Sequence, residues 1–436
     1  MSARDASEYQ EFIIEANDGS RSVDIRLGVV GFQYYEDLFS PTVTAKITVV
    51  DTGGTITGAD GKKEAIVNGL PIRGGERVSI KVKPNGNPAL DFSSKDNYLY
   101  VSSIRNILSD NLKEAFILEL VSREAIVNET TRIPKKFPKD QKISDTVSKI
   151  VKEYLKSDDV EVDETQNKYG FIGNLKRPFD ILVWLASKSV PVTKDAMAGF
   201  FFYQTQDGFK FKSIDNLISQ GVNSPKNDKN PYRHTEAPVD KIDTDDFKIL
   251  SHIFEKNNDL LKKLRLGTYS SFFTEFNPLT GAYTKPLQGS FNLIDYATKL
   301  KNLGGDPEIP NVVSENGFVL GNTPSRIISC VADVGVTDVG ISTSQNAAAS
   351  QYQRQALLRY NLLFMQSMSM IVPVNTNLQV GDVIRCEFPR ISGSSDIDRQ
   401  KSGLYMIKEL CHYFDGTQSL TSMRLIRDTF GEFGNQ

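Results

Sequence analysis

Cysteine, histidine and tryptophan are scarce in this 436-residue chain, which holds three, three and one of them. Cys330, Cys386 and Cys411 include no C-x-x-C pair and cannot build a disulfide framework, so they read as reduced thiols packed as small hydrophobes. Three histidines leave little material for acid–base work near neutral pH. His234, His252 and His412 also lack the close spacing of two zinc ligands on one helix, so each reads as a satisfied or solvent-facing ring. No run approaches the ~20 apolar residues of a membrane-spanning helix. The opening MSARDASEYQEF lacks the apolar stretch of a secretory signal, so the expectation is a product made in a cytosol with no membrane partner. A basic excess is missing too: 51 Lys and Arg stand against 54 Asp and Glu, a net charge of -3. That excludes affinity built on gripping phosphates, and suits a surface that nucleic acid slides past.

The motifs of catalysis are equally thin. Asp51-Thr52-Gly53-Gly54 follows Val49-Val50 as an aspartic-protease carboxylate would, but no second Asp-Thr/Ser-Gly exists to share the proton. A strand running into a glycine turn accounts for the same residues. Gly53, Gly54, Gly58, Gly61 and Lys62 miss the register of a phosphate-binding loop and read as a hairpin tip. Asp158-Asp159 and Asp243, Asp245 and Asp246 could suggest glycan hydrolysis, but nothing pairs them across a cleft, so they read as solvated faces. No calcium loop of the D-x-[DN]-x-[DN]-G kind occurs, and the Asn128-Glu129-Thr130 sequon matters only in a secreted chain. Phe200-Phe201-Phe202-Tyr203 could stack single-stranded bases, but without a basic surround it reads as core or subunit contact. These residues supply no catalytic, metal or cofactor set, and the expectation is a protein that is not an enzyme.

What the chain has in quantity is alternation. Val43, Ala45, Ile47 and Val49 interleave with Thr42, Thr44, Lys46 and Thr48, and Val78, Ile80 and Val82 with Arg77, Ser79, Lys81 and Lys83, a period of two that predicts strands. Further strands are predicted at Tyr98–Ile104 and Ala115–Val121 around a Ser109-Asp110-Asn111 turn, which together suggest an antiparallel barrel or sandwich. The period then lengthens. Ile143, Val147, Ile150, Val151, Tyr154 and Leu155 predict a helix capped by Ser144, and a second helix follows Pro178. Phe200–Tyr203 and Phe209–Phe211 flank Asp207-Gly208 as a hairpin, and Gly221–Asp240 reads as a surface loop. Strands return at Phe247–Phe254, Tyr269–Phe276, Met368–Val374, Asp382–Phe388, Leu404–Leu410 and Leu420–Arg427, with helices near Leu293–Leu300 and Gln351–Leu363.

Two stretches resemble each other. Setting Leu99–Arg123 against Leu404–Asp428 without a gap matches Leu99-Tyr100 to Leu404-Tyr405, Asp110 to Asp415, Leu118 to Met423, Leu120 to Leu425 and Val121 to Ile426. Upstream, Ile72–Val78 faces Leu378–Ile384 one residue out of that register. Any two hairpins share a period of two, so chance is one account. The shared spacing of three strands and two turns favours the other, a duplicated module. Two similar barrels in one chain let three chains present six near-equivalent units around one axis.

Glu36-Asp37-Leu38-Phe39-Ser40-Pro41-Thr42-Val43, running into Ala45-Lys46-Ile47-Thr48-Val49-Val50-Asp51, resembles the first barrel of the central baseplate hub proteins of T4-type contractile phages. The helix Gln351–Leu363, the strands Met368–Val374 and Leu378–Phe388, and the hairpin from Gly403-Leu404-Tyr405-Met406-Ile407 past His412 to Asp415-Gly416 resemble the same family's second module. Residues Gly317–Ser350 match nothing in it. The resemblance implies a mainly β, α+β chain with two tail-tube-like antiparallel barrels and an inserted helical or mixed domain. Its expected divisions are a first barrel at 1–128, a mixed domain at 129–243, the start of the second barrel at 244–290, an insertion at 291–355 and the rest of the second barrel at 356–436. It implies a homotrimer in the virion, with a tail tube or tube-initiator protein above, a central spike below and genomic DNA passing through the lumen. The rival expectations are a peripheral baseplate or spike subunit, an aspartic protease and a glycan hydrolase.

Overall fold

The computed structural model describes residues 2–54, 56–57, 61–109, 113–193, 197–226, 228–235, 246–255, 259–278, 280–283, 290–293, 301–305, 309, 320–333, 349–390 and 397–431. The first part is β: β1 (Glu8–Glu15), β2 (Ser22–Asp24), β3 (Val29–Asp37), β4 (Thr44–Asp51), β5 (Arg77–Lys83), β6 (Leu90–Phe92), β7 (Leu99–Ser109) and β8 (Glu114–Ser122). A mixed stretch follows with α1 (Arg123–Thr130), α2 (Ile143–Ile150), β9 (Val160–Val162), α3 (Pro178–Ala186), β10 (Phe200–Thr205), β11 (Gly208–Ser213), α4 (Ile214–Asn223) and β12 (Tyr232–Arg233). The last part holds β13 (Ser251–Glu255), β14 (Ser270–Asn277), β15 (Arg326–Val331), α5 (Ala349–Leu362), β16 (Gln366–Pro373), β17 (Val383–Glu387), β18 (Gly403–Asp415) and β19 (Ser419–Arg427). The class is the mainly β, α+β one that the sequence implies. The helix expected at Leu293–Leu300 and most of the 291–355 stretch lie outside the described residues.

One ladder organises the molecule, in the order β13-β16-β19-β18-β3-β4-β8-β7-β5-β1-β2, with β6 on β5, β17 beside β18 and β12 on β17. Each half of it wraps its own core. Phe12, Phe32, Ala45, Ile47, Ile80 and Leu118 fill the first, which also takes Phe414 from the far half. Met368, Met370, Val383, Tyr405, Leu410 and Leu425 fill the second. The alternation read along β4 is obeyed: Ala45, Ile47 and Val49 are buried, and Thr44 and Lys46 are exposed.

A third core belongs to the mixed stretch, where Ile143, Val147, Ile150, Val151 and Leu155 pack against Phe179, Leu182 and Phe209. The helix is not capped by Ser144. Lys142 is its N-cap residue and makes no side-chain cap bond, while Ser144 is buried within the first turn and its amide donates to Thr165 Oγ1 at 3.0 Å. The loop expected at Gly221–Asp240 is only partly one: α4 runs to Asn223, and β12 lies parallel to β17. The hairpin β10–β11 is a wedge between cores. Its period of two sends Phe200 and Phe202 into the third core and Phe201 and Tyr203 into the second, so the aromatic run is core on both faces. Buried Arg359 of α5 donates to Asp215 of α4 at 2.7 Å and to Asp428 at 3.3 Å, tying that helix to the end of β19.

The duplication is visible in backbone bonds. In the first half, Gly75 N donates to Val101 O at 2.7 Å and Val101 N to Glu76 O at 3.0 Å. In the second, Gly381 N donates to Ile407 O and Ile407 N to Asp382 O, both at 2.9 Å. The acidic side chains repeat their work: Glu76 accepts from Arg73 N, and Asp382 accepts from Gln379 N. Arg77 and Val78 oppose Tyr100 and Leu99, just as Val383 and Ile384 oppose Met406 and Tyr405. A bulge follows at the same place, leaving Ser102 and Lys408 without a cross-strand mate in β8 and β19. The gapless match of Leu99-Tyr100 to Leu404-Tyr405 is therefore one residue out, and Leu99-Tyr100 corresponds to Tyr405-Met406. A second bulge at Ile107, with Asn106 facing Phe116 and Leu108 facing Ala115, is the extra residue that restores the gapless register for Leu118, Leu120 and Val121. Asp110 lies outside the described residues.

Gly75 and Gly381 sit at φ +91° and +88°, where a Cβ would meet Asn17 Oδ1 at 3.1 Å and Tyr203 Oη at 2.9 Å. Because the two turns are one device used twice, Gly75→Ala and Gly381→Ala should each cost about 1–3 kcal/mol. Urea unfolding of the two variants checks this, and a neutral result at either site would contradict the equivalence.

Candidate functional site: the seam between two sheet modules

The repeated unit is five strands long. β3, β4, β8, β7 and β5 of the first half correspond to β13, β16, β19, β18 and β17 of the second, in the same lateral order. The registers fix the correspondence: Tyr34 opposes Ala45 as Phe254 opposes Met368, and Leu118 opposes Ile47 as Met423 opposes Met370. The halves meet head to tail. Beyond its bulge, β18 leaves β17 and pairs antiparallel with β3, from Glu409 opposite Asp37 to Asp415 opposite Gly31.

A buried carboxylate fastens this seam. Glu36, 3% exposed, accepts from Tyr34 Oη at 2.9 Å and from the amides of Gln206 at 2.9 Å and Val380 at 3.0 Å. One side chain thus joins β3 to the β10–β11 turn and to the glycine turn before β17. Burial pushes its pKa up to about 7, against the lowering effect of those two amides. Beside it His412 is buried, with Nδ1 3.0 Å from Thr421 Oγ1 and its ring stacked on Tyr34 at 6.3 Å. Burial pushes this imidazole down to about 3.

The outward face of the seam is polar. A groove of about 640 Å³ lies over it, lined by Tyr35, Lys46, Glu255, Glu409, Cys411 and Arg424 among others. Arg424 sits 2.9 Å from Glu255 and 3.6 Å from Glu409, and Arg105 sits 2.5 Å from Glu119. The Ser367 hydroxyl and Arg424 hold Glu255 below the usual carboxylate range. Burial pushes the Cys411 thiol up to about 11, so it carries no reactive thiolate at neutral pH.

The residues weighed for chemistry do not converge here. Asp51 is buried at the end of β4 and accepts from Gly53 N at 2.9 Å and Ile66 N at 2.5 Å, which is turn-and-helix work. Asp158 and Asp159 are exposed before β9. Asp246 accepts from Ser2 Oγ and Ala3 N, while Asp243 and Asp245 lie outside the described residues. The fold brings His234 and His252 together at 4.4 Å between ring centroids, a contact that their sequence separation hides. Among the described residues no group of three or more His, Cys, Asp or Glu is placed to hold a metal ion. Sequence reasoning named no interface residue, because the faces toward core and partner share one period. The signal that finds the seam is register: only paired strands show that β18 continues past β17.

Glu36 and His412 give the fold two opposite pH slopes. Burying neutral His412 favours the unfolded chain as pH falls from about 6.5 toward 3, and burying Glu36 favours it as pH rises from about 4.3 toward 7. In His412→Phe only the second slope remains. The unfolding free energy of the variant minus that of the native chain should then rise by about 1.4 kcal/mol for each pH unit below 6.5. Chemical denaturation from pH 7 to 5 measures this difference, and a flat difference would show that His412 can be protonated in the fold. Glu36→Leu leaves two buried amides without acceptors and should cost about 2–5 kcal/mol in the same assay.

No family model matches the chain, and no curated protein does. Solved structures do. A tail protein from Neisseria meningitidis MC58 superposes with a TM-score of 0.54 at 11% identity, covering 96% of this chain and 96% of that one. The 43 kDa tail protein of prophage MuSo2 from Shewanella oneidensis gives 0.53 at 11% identity, covering 96% of this chain and 98% of that one. At such identity the likeness is one of fold, and it runs along nearly the whole chain: the protein has the fold of these tail proteins.

Proposed function

We propose that the chain is a structural subunit of a phage tail baseplate, and within it the central hub: a homotrimer whose six sheet modules form one ring. The observation that carries this reading is the head-to-tail joining of two modules whose registers agree down to the bulge. An interface that joins unlike edges generates a ring when its rotation closes. One such joint is already made inside the chain, so the same joint between chains gives alternating covalent and non-covalent seams.

A bore that admits a duplex needs at least three copies. Each chain contributes eight ladder strands, from β13 across the seam to β7. Three chains give about twenty-four strands, which at ~4.8 Å spacing make a wall roughly 115 Å round and roughly 37 Å across. Two chains give roughly 24 Å between backbones, which lining side chains reduce below the width of a duplex. A ring of six modules on threefold symmetry fits a sixfold tail tube or tube-initiator protein on one side and a threefold central spike on the other. Genomic DNA passes through it without sequence-specific contact, in keeping with the mixed charges of Glu409, Arg424, Glu255 and Lys46 on the seam face. The place of work is the tail baseplate of the virion, with assembly in the host cytoplasm. The mixed stretch lies at the periphery, and the work is mechanical.

Native mass measurement of the purified chain should give three copies, and images down the axis should show six lobes. A monomer, a sixfold assembly or an off-axis position in the tail would favour a peripheral baseplate or spike subunit instead. Asp51→Asn should leave casein and cell-wall glycan as uncleaved as the native chain does. Any Asp51-dependent turnover would defeat the mechanical reading.

A further inference from the structure

Besides the outer sides of the short strands β2 and β6, two longer strand edges of the ladder have no partner among the described residues: β7 beyond its first bulge, from Ser103 to Ser109, and the outer side of β13. By the module correspondence these are the counterparts of the two edges that form the seam inside the chain. β7 stands where β18 stands, and β13 where β3 stands. Unpaired edges of this kind are templates for another strand, and soluble proteins ordinarily block them.

We infer that β7 of one subunit pairs antiparallel with β13 of the next, in the register of the internal seam, with Arg105 opposite Glu255 and Leu108 opposite Ile253 of the neighbouring copy. The register is transferred residue by residue. Cys411 faces Tyr35 in the chain's own seam. Arg105 occupies the place of Cys411, because Ile117 and Ser422 oppose these two residues from corresponding strands. Glu255 occupies the place of Tyr35, because Ser367 and Thr44 oppose them in turn. The bulge at Ile107 shifts the following residue, so Leu108 takes the place of Tyr413, which faces Gln33. Ile253 takes the place of Gln33.

The chemistry of the two edges is complementary in this register and in no neighbouring one. Leu108 is 55% exposed and Ile253 67%, large apolar side chains that the transferred pairing sets against each other. Arg105 is already held by Glu119, and Glu255 by Arg424. Joining the edges lines up Glu119, Arg105, Glu255 and Arg424 with alternating sign across the joint. A slip of one residue places Arg105 over Phe254 and turns every outward side chain toward the core. The charges select register, and the apolar pair with the backbone ladder supplies adhesion.

This inference rests on the ring proposed above and adds its joint. The test uses the full chain with paired cysteines, Arg105→Cys with Glu255→Cys and, separately, Leu108→Cys with Ile253→Cys. Mild oxidation should convert either double variant into covalent dimers and trimers on a non-reducing gel, while each single variant stays at one chain length. Arg105→Cys with Ser251→Cys, four residues away along β13, should not link. Ile253→Lys in the otherwise native chain should shift the native mass from three chains toward one. A native chain that is trimeric by mass while both matched pairs fail to link, or while the displaced pair links, overturns this joint and leaves the ring intact. A native chain that stays monomeric at its highest soluble concentration defeats the ring itself.

Discussion

The structure depends on one strand serving two ladders. β18 pairs through Gly403–Met406 with β17 and through Glu409–Asp415 with β3, and the bulge at Lys408 is where it changes partner. A bulge bends its strand and strengthens the local twist, which is what a strand needs to leave one sheet layer and enter another. Without that turn the two halves would be separate bodies joined by the mixed stretch. With it, they share a continuous backbone ladder whose hydrogen bonds cross from one core to the other. Phe414, at the far end of the strand, is buried in the first core while Leu410 is buried in the second.

Glu36 shows why the joint is polar at its centre. The seam brings the glycine turn before β17 and the β10–β11 turn against β3, and turns expose amides that no ladder satisfies. A hydrophobic side chain there would bury Val380 N and Gln206 N unpaired. A carboxylate accepts from both, and Tyr34 adds a third donor. The cost is desolvation of the charge, seen in its raised pKa. The return is geometric: two of the three bonds leave β3, one for each turn, so the seating of both turns against the strand is specified rather than left to apolar packing. The seam can carry this fastening because β3 and both turns belong to one chain.

How much of this the amino-acid order discloses follows from the range of each interaction. Ala45, Ile47 and Val49, or Val78, Ile80 and Val82, announce strands because burial on one face imposes a period of two on neighbours. Pro178 announces the start of α3 for an equally local reason. The glycine–acid pairs Gly75-Glu76 and Gly381-Asp382 are legible because a left-handed turn demands glycine. What fails is what has no local cause. Lys408 and Glu409 interrupt the alternation of β18 at its bulge, so the strand reads as ending near Leu410 and its pairing with β3 stays hidden. Ile107 adds one residue to β7, so a gapless comparison is right on one strand of the hairpin and wrong on the other. Ser144 has the chemistry of a cap but lies one place inside the helix, where Thr165 occupies its amide. His234 and His252 meet only because β12 and β13 flank the same end of the second module.

The duplication also explains where the halves have diverged. Positions facing a core keep apolar character in both copies: Leu118 and Met423, Leu120 and Leu425, Ile47 and Met370. The edge positions do not. At the internal seam Cys411 and Tyr35 oppose each other, whereas their counterparts Arg105 and Glu255 carry opposite charges. A seam inside one chain is held at high effective concentration by the polypeptide itself, so its register depends less on charge at each position. The internal seam has charge at its start, where Lys408 lies 3.7 Å from Asp37, but not at the Cys411–Tyr35 position. A seam between chains would have to be found by diffusion and to reject slipped alternatives, which gives charge at that position a use. The asymmetry between the two pairs fits the proposed ring of alternating covalent and non-covalent joints; in a lone chain the same charges, Arg105 held by Glu119 and Glu255 by Arg424, would serve to keep the free edges from unspecific pairing.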